Sequence, residues 1–138
     1  MANKNIKLTS AEIGALWTAY NECSSTNCFY KHFLIHLTDQ AIKPIIEEAQ
    51  LINDRLIQYM EDIFTEENFP IPKAFSDDDV DFTAPALFTD LYALSFVYRE
   101  SRMMNIFYGT MLGKVAREDI LNFMEDGLYS SIRIYKNP

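Results

Sequence analysis

At 138 residues, 49% of them apolar and 14% aromatic, the chain has enough material for one domain with a substantial core, and it lacks the composition of a disordered protein. Its net charge of −8 is concentrated in residues 38–90, which hold thirteen acidic and three basic side chains, while the flanking thirds each sum to about +1. That acidic middle repels a phosphate backbone and no basic stripe offsets it, so nucleic-acid binding is not expected.

No apolar run reaches the roughly 18 residues of a membrane span, and the polar start MANKNIK has no signal-peptide core, so no membrane contact is expected. Cys23 and Cys28, without an export signal, are expected to be two reduced thiols in a cytoplasmic protein.

Thr9-Ser10-Ala11-Glu12 is a capping-box pattern, and the amphipathic run after it predicts a first helix over about 10–37. Thr38 and Asp39 are the next N-cap candidates, for a second helix over about 39–67 with Pro44 near its first turn. Its core stripe is Ile42, Ile45, Ala49, Ile52, Leu56, Met60 and Ile63. The segment NFPIPKAFSDDDVDFTAP, with three prolines and four aspartates, ends that pattern and forms a crossover over about 68–86. A third helix is expected over about 87–115, where Asp90 is the only charge between Ala86 and Tyr98. A fourth follows over about 118–135, with Ile120, Met124, Leu128, Ile132 and Tyr135 as its stripe and Gly127 as a weak point.

The chain is therefore read as all-α. Short turns make helices 1 and 2, and helices 3 and 4, antiparallel. A connection of about 18 residues spans more than about 50 Å when extended, and a 28-residue helix is about 42 Å long. The crossover is thus long enough to run the length of a four-helix bundle and make helices 2 and 3 parallel, in a ferritin-like up-down-down-up order.

LTSAEIGALWTAY, IKPIIEEA, IFTEENFPIPKAFSDDDVDFTAP, LFTD and AREDI together resemble an uncharacterised family of spore-forming bacteria, domain of unknown function 3231, related in fold to spore coat protein F. The resemblance spans about residues 6–125, and FPIPKAF…DDDVD…AP…LF is its most specific part. It implies a ferritin-like four-helix bundle, a sporulation or spore-coat setting, and no established activity. Members of the family often carry two modules in tandem and usually a longer fourth helix. This chain, a single copy, stops at IRIYKNP. Both differences imply an uncovered surface and hence a homodimer.

Chemistry finds little support in the residues. A di-iron bundle needs Glu-x-x-His on two helices, but neither histidine lies beyond the first helix, and Met103 stands three residues after Glu100. Glu47, Asp54 and Glu61 fall on an outer flank of the second helix. Asn53, Ser101, Asn105 and Tyr20 are polar residues on apolar faces, as suits either bridging water or a small-ligand cavity. Asp77, Asp79 and Asp81 imitate the start of a calcium loop, but Phe82 and Phe88 occupy the positions that need Gly and Glu. There is no phosphate loop, no Gly-x-Ser-x-Gly and no Cys-x-x-Cys, and Cys28 with His32 would lack an oxyanion hole in mid-helix. No catalytic residue and no cofactor are assigned.

On the helical wheel, Ile13, Leu16, Trp17, Tyr20, Cys23, Tyr30, Phe33, Leu34 and Leu37 share the core side of the first helix. Opposite them run Gly14, Thr18, Asn21, Ser25, Cys28, His32 and His36, a stripe of small neutral residues where Lys and Glu are usual. Gly14, Thr18, Asn21, Ser25, Cys28 and His32 are the interface candidates. His32 and His36 are weak metal candidates, a two-ligand clamp that needs a partner chain to complete a zinc site. Cys28 and His36 lie about 12 Å apart along the axis and cannot share one ion. The expected function is a non-enzymatic helical interaction module, acting as a homodimer or with a helical protein partner. The alternative is a ferritin-like protein holding a small apolar ligand or a metal inside the bundle.

Overall fold

The computed structural model describes residues 6–136. Four helices carry the fold: α1 (Ser10–His36), α2 (Lys43–Glu66), α3 (Asp90–Leu112) and α4 (Glu118–Lys136). A short 3-10 turn at Asp77–Asp79 interrupts the crossover, and there is no strand among the described residues.

Local chemistry explains where each helix begins and ends. The Thr9 hydroxyl accepts from the Glu12 amide at 3.1 Å, and the Glu12 carboxylate accepts from the Thr9 amide at 2.8 Å, which closes the expected capping box. The second helix starts at Lys43 instead of residue 39, because the residues ahead of it are taken. Asp90, at the start of α3, accepts from the Thr38 hydroxyl at 2.7 Å, the Thr38 amide at 3.2 Å and the Asp39 amide at 2.8 Å. Asp39 instead caps a turn through the Ala41 amide. At the far end of α2, Asn68 takes a left-handed φ of 56°. The Phe69 amide reaches back to the Phe64 carbonyl and the Asn68 amide to Thr65, the bonding pattern of a Schellman stop. Leu87 and Phe88 lie outside α3, because Thr89 is its cap and accepts from the Tyr92 amide.

Two clusters bind the helix ends. At one, Asp90 joins the start of α3 to the α1–α2 turn. At the other, the second oxygen of Glu12 accepts from the amides of Ala116 and Arg117, at 2.9 and 3.0 Å, just ahead of α4. Arg117 is buried there against Asp119, Glu67 at the end of α2, and the Ile6 carbonyl. Hence α1 and α4 begin at the end where α2 stops.

All four helices supply the core, which includes Leu16, Tyr20, Ile46, Met60, Phe64, Val97, Tyr108, Ile120, Phe123 and Met124. Burying each such large side chain contributes about 1.5–3 kcal/mol. Two expected faces shift. Trp17 is 46% exposed, and Ala15 and Ala19 take its place in α1, where small side chains allow close packing. In the second half of α4, Gly127, Ser131 and Ile134 are buried, Leu128 packs partly buried against the core, and Ile132 and Tyr135 are only half-buried. The reason is Tyr108, whose ring lies where a Cβ on residue 127 would stand, 2.5–2.8 Å from three ring atoms. Gly127 is therefore a packing requirement, and the helix runs through it unbroken to Lys136.

Glu12→Ala removes the acceptor of three backbone amides and leaves the buried Arg117 amide unpaired, so a loss of about 3 kcal/mol is expected from the urea midpoint at an unchanged slope. Gly127→Ala should cost about 1–2 kcal/mol, since overpacking against Tyr108 exceeds the gain in helix propensity. Gly14→Ala, where a Cβ meets nothing within 4 Å, should instead raise the thermal midpoint.

Candidate functional site

The residues of the first helix that drew attention in the sequence divide into three groups in space. Gly14, Thr18 and Asn21 are exposed. Ser25 is half-buried. Cys28, His32 and His36 lie under the crossover. The Cys28 thiol sits 3.6 Å from the Ser76 carbonyl, His32 Nε2 accepts from the Leu87 amide at 3.3 Å, and His36 Nε2 lies 3.1 Å from the Ala84 carbonyl. The chain's own loop thus occupies that half of the stripe.

The same loop holds to the neighbouring row of α1. The Phe75 amide donates to Ser24 Oγ at 3.3 Å, and Asp77 pairs with Lys31. The other two aspartates that imitate a calcium loop serve as turn caps. Asp79 accepts from the Ser76 amide at 2.9 Å, and Asp81 accepts from the Thr83 amide and hydroxyl at 3.0 and 2.6 Å.

These contacts bear on the histidine clamp. His32 accepts at Nε2, so its proton is on Nδ1 and its lone pair is engaged. His36 donates from Nε2 to a carbonyl. The rings are 4.7 Å apart, but the nitrogens facing the loop are in use. Among the described residues no group of three or more His, Cys, Asp or Glu side chains is placed to hold a metal ion.

A second region takes in Asn53 and Ser101, two of the polar residues that the sequence placed on apolar faces. Between the four helices lies a cavity of about 40 Å³, lined by Cys23 and Tyr30 of α1, Asn53 of α2, Glu100, Ser101 and Tyr108 of α3, and Ser130 and Ser131 of α4, among apolar neighbours. Most of these polar groups are satisfied. Asn53 donates to Thr26 Oγ1 at 2.9 Å and Asn27 Oδ1 at 3.0 Å, and Asn27 donates to Asp54 at 2.9 Å. Ser131 donates to Asn105 Oδ1 at 2.5 Å, and Ser130 accepts from Arg55 at 2.7 Å. Two atoms are not: Glu100 Oε1 and the Tyr108 hydroxyl are buried without a hydrogen-bond partner of ordinary geometry. Tyr108 is 1% exposed, with the Cys23 thiol beside it.

The Glu100 carboxyl faces Glu22 of α1. Burial, then a hydrogen bond with Glu22 and the charge of Glu22, push Glu100 up to about 8. Burial pushes the Cys23 thiol up to about 12, and burial also raises Cys28. Neither is a ready thiolate at neutral pH. The signal for Glu100 was present in the sequence: Ala93, Val97, Ser101, Met104 and Tyr108 form the inner stripe of α3, and Glu100 stands beside it at three residues from Val97 and four from Met104.

Burial and the neighbouring His36 charge lower the pKa of His32 below 6.5. A lowered value means the neutral ring's contribution is present above pH 6.5 and is lost as pH falls through the folded-state value. Protonation also removes the lone pair that accepts from Leu87. The protection factor of the Leu87 amide should therefore drop between pH 7.5 and 5 in the wild type and stay level in His32→Gln, as followed by hydrogen exchange.

Comparison with known proteins agrees with this architecture. The crystal structure of a candidate spore coat protein from Bacillus halodurans C-125 superimposes with a TM-score of 0.86 at 18% sequence identity, covering 96% of this chain and 86% of that one. At that identity the likeness concerns the fold alone. No curated protein matches the chain. The family described as "Protein of unknown function (DUF3231)" matches residues 1–137, and the chain belongs to it.

Proposed function

We propose that this chain is a non-enzymatic helical interaction module that pairs with a second copy of itself, in a sporulation or spore-coat setting. The observation that carries the reading is the open lower half of the α1–α3 seam. In the upper half, rings close the seam, with Phe29 and Tyr30 against Phe96, and Phe33 against Phe88, Tyr92 and Phe96. The antiparallel register that sets Tyr30 by Phe96 and Glu22 by Glu100 brings Trp17 level with Ile106. There Trp17, Met103 and Ile106 are 46%, 60% and 68% exposed. Gly14, Thr18 and Asn21 lie exposed on the same half of α1.

Small neutral residues let a second helix approach closely, and an uncharged stripe meets its own copy without repulsion, as a two-fold contact requires. A cluster of large exposed apolar groups beside such a stripe is the usual composition of an interface. The order of helix ends supports a ferritin-like, up-down-down-up bundle as the frame. The absence of an enzymatic role is part of the proposal, and the raised thiols of Cys23 and Cys28 agree with it. The spore setting rests on the likeness to the Bacillus halodurans protein.

A second reading, a ferritin-like binding protein with a small apolar ligand or a metal inside, has the interior cavity in its favour. At about 10–15 Å³ per water, 40 Å³ holds a few waters, and the unpartnered Glu100 Oε1 and Tyr108 hydroxyl at its wall give them polar contacts that an apolar ligand would not use. Stoichiometric iron or zinc in protein purified without a His-tag or chelator would reverse the ranking.

Light scattering at micromolar concentration should give twice the 16.0 kDa chain mass for the wild type. Trp17→Glu and Thr18→Arg should each run as monomers with unchanged helical circular dichroism. A wild-type monomer sinks the proposal.

A further inference from the structure

The acid pair stands at the boundary between the two halves of the α1–α3 seam. Above it the seam is closed by aromatic rings. Below it Trp17, Met103 and Ile106 are open to solvent. Behind it lies the interior cavity with the unpartnered Tyr108 hydroxyl and the buried Cys23 thiol. Glu22 is half-exposed, whereas Glu100 Oε1 is cut off from solvent.

Two facing carboxyls can share a hydrogen bond only while one of them keeps a proton. When both are ionised, two negative charges face each other across helices that have no other ionic tie at that level among the bonds and ion pairs described above.

We propose that Glu22 and Glu100 form a proton-operated latch: a shared proton ties α1 to α3 over the interior cavity, and loss of that proton to water at the exposed Glu22 side lets the seam part. The groups facing the pair do not replace this role. From α1, Cys23 and Tyr30 stay neutral because burial raises both. On α3, Tyr108 stays neutral for the same reason. Asp126 of α4 acts on Tyr108 but is paired with Arg55 of α2. Glu100 is raised in the closed state, so the latch is strongest below the ordinary carboxyl range and weakens as pH climbs towards about 8. The latch stands whether or not two copies associate.

Cys23 reports the opening, since its thiol is 2% exposed within the cavity. In a Cys28→Ser background, iodoacetamide labelling of Cys23 is compared between the wild-type pair and Glu100→Gln at each pH from 6 to 9. The Gln amide donates to Glu22 at every pH, and thiol chemistry cancels in the ratio. The ratio should climb by up to about tenfold per pH unit to pH 8 and then level off. A flat ratio overturns the latch. Should Glu100→Gln fail to fold, the wild-type Glu100 carboxyl is followed by carbon-13 NMR, and titration in the ordinary carboxyl range overturns it equally.

Discussion

The rest of the fold depends on the Glu12 carboxylate. A carboxylate only 1% exposed is costly to bury, and burial alone would raise its pKa. Amide donors from Arg117, Thr9 and Ala116 instead bring it below the usual carboxyl value. These amides belong to two helix starts, where unpaired N–H groups and the positive end of the helix dipole favour an anion. One side chain thereby terminates α1 and aligns the approach to α4. Arg117 extends the junction to the end of α2 through Glu67 and to the N-terminal segment through the Ile6 carbonyl. With Asp90 fastening the opposite end, the directions of all four helices follow from two carboxylate-centred clusters.

Once the ends are pinned, the crossover must travel the length of the helices, and it does so along α1. The polar residues in the middle of that helix then have a reason to exist. Ser24 accepts from the loop, Lys31 pairs with it, and His32 and His36 hold its carbonyl and amide groups near Ala84 and Leu87. Thr26 and Asn27, next in the row, turn towards Asn53 and Asp54 of α2. A stripe with the composition of a protein seam is indeed a seam over half its length, and the partner there is the same chain.

What was legible in the sequence was local and periodic. The Thr9–Glu12 box, the stripe from Ala49 to Ile63, and the long proline- and aspartate-rich crossover all act over a few residues or through helical spacing and lie where expected, whereas at the head of the stripe Ile46 and not Ile45 is fully buried and Ile42 precedes the helix. What was not legible depended on partners remote in the chain. Nothing around Glu12 announces Ala116, 104 residues away. Trp17 sits on the core side of an ideal wheel, yet Ala15 and Ala19 pack more closely and it is left outside. Gly127 looked like a helix breaker because the ring that fills its missing side chain belongs to α3.

Glu100 was legible in part: its place beside the inner stripe of α3 follows from spacing, but its partner on α1 does not. Reading carboxylates for metal motifs passed over it, since Met103 and not His follows it by three residues. Its significance lies in a facing acid on another helix and in a cavity that needs four helices to exist. An apolar side chain of similar size at position 100 would fill that space and leave Glu22 to solvent, at little cost to stability and with some gain. Retaining two acids there instead ties the packing of α1 against α3 to the proton concentration, in the stretch where the closed aromatic half of the seam gives way to its open half. The polar interior is therefore better understood as a control on that seam than as a contribution to its strength.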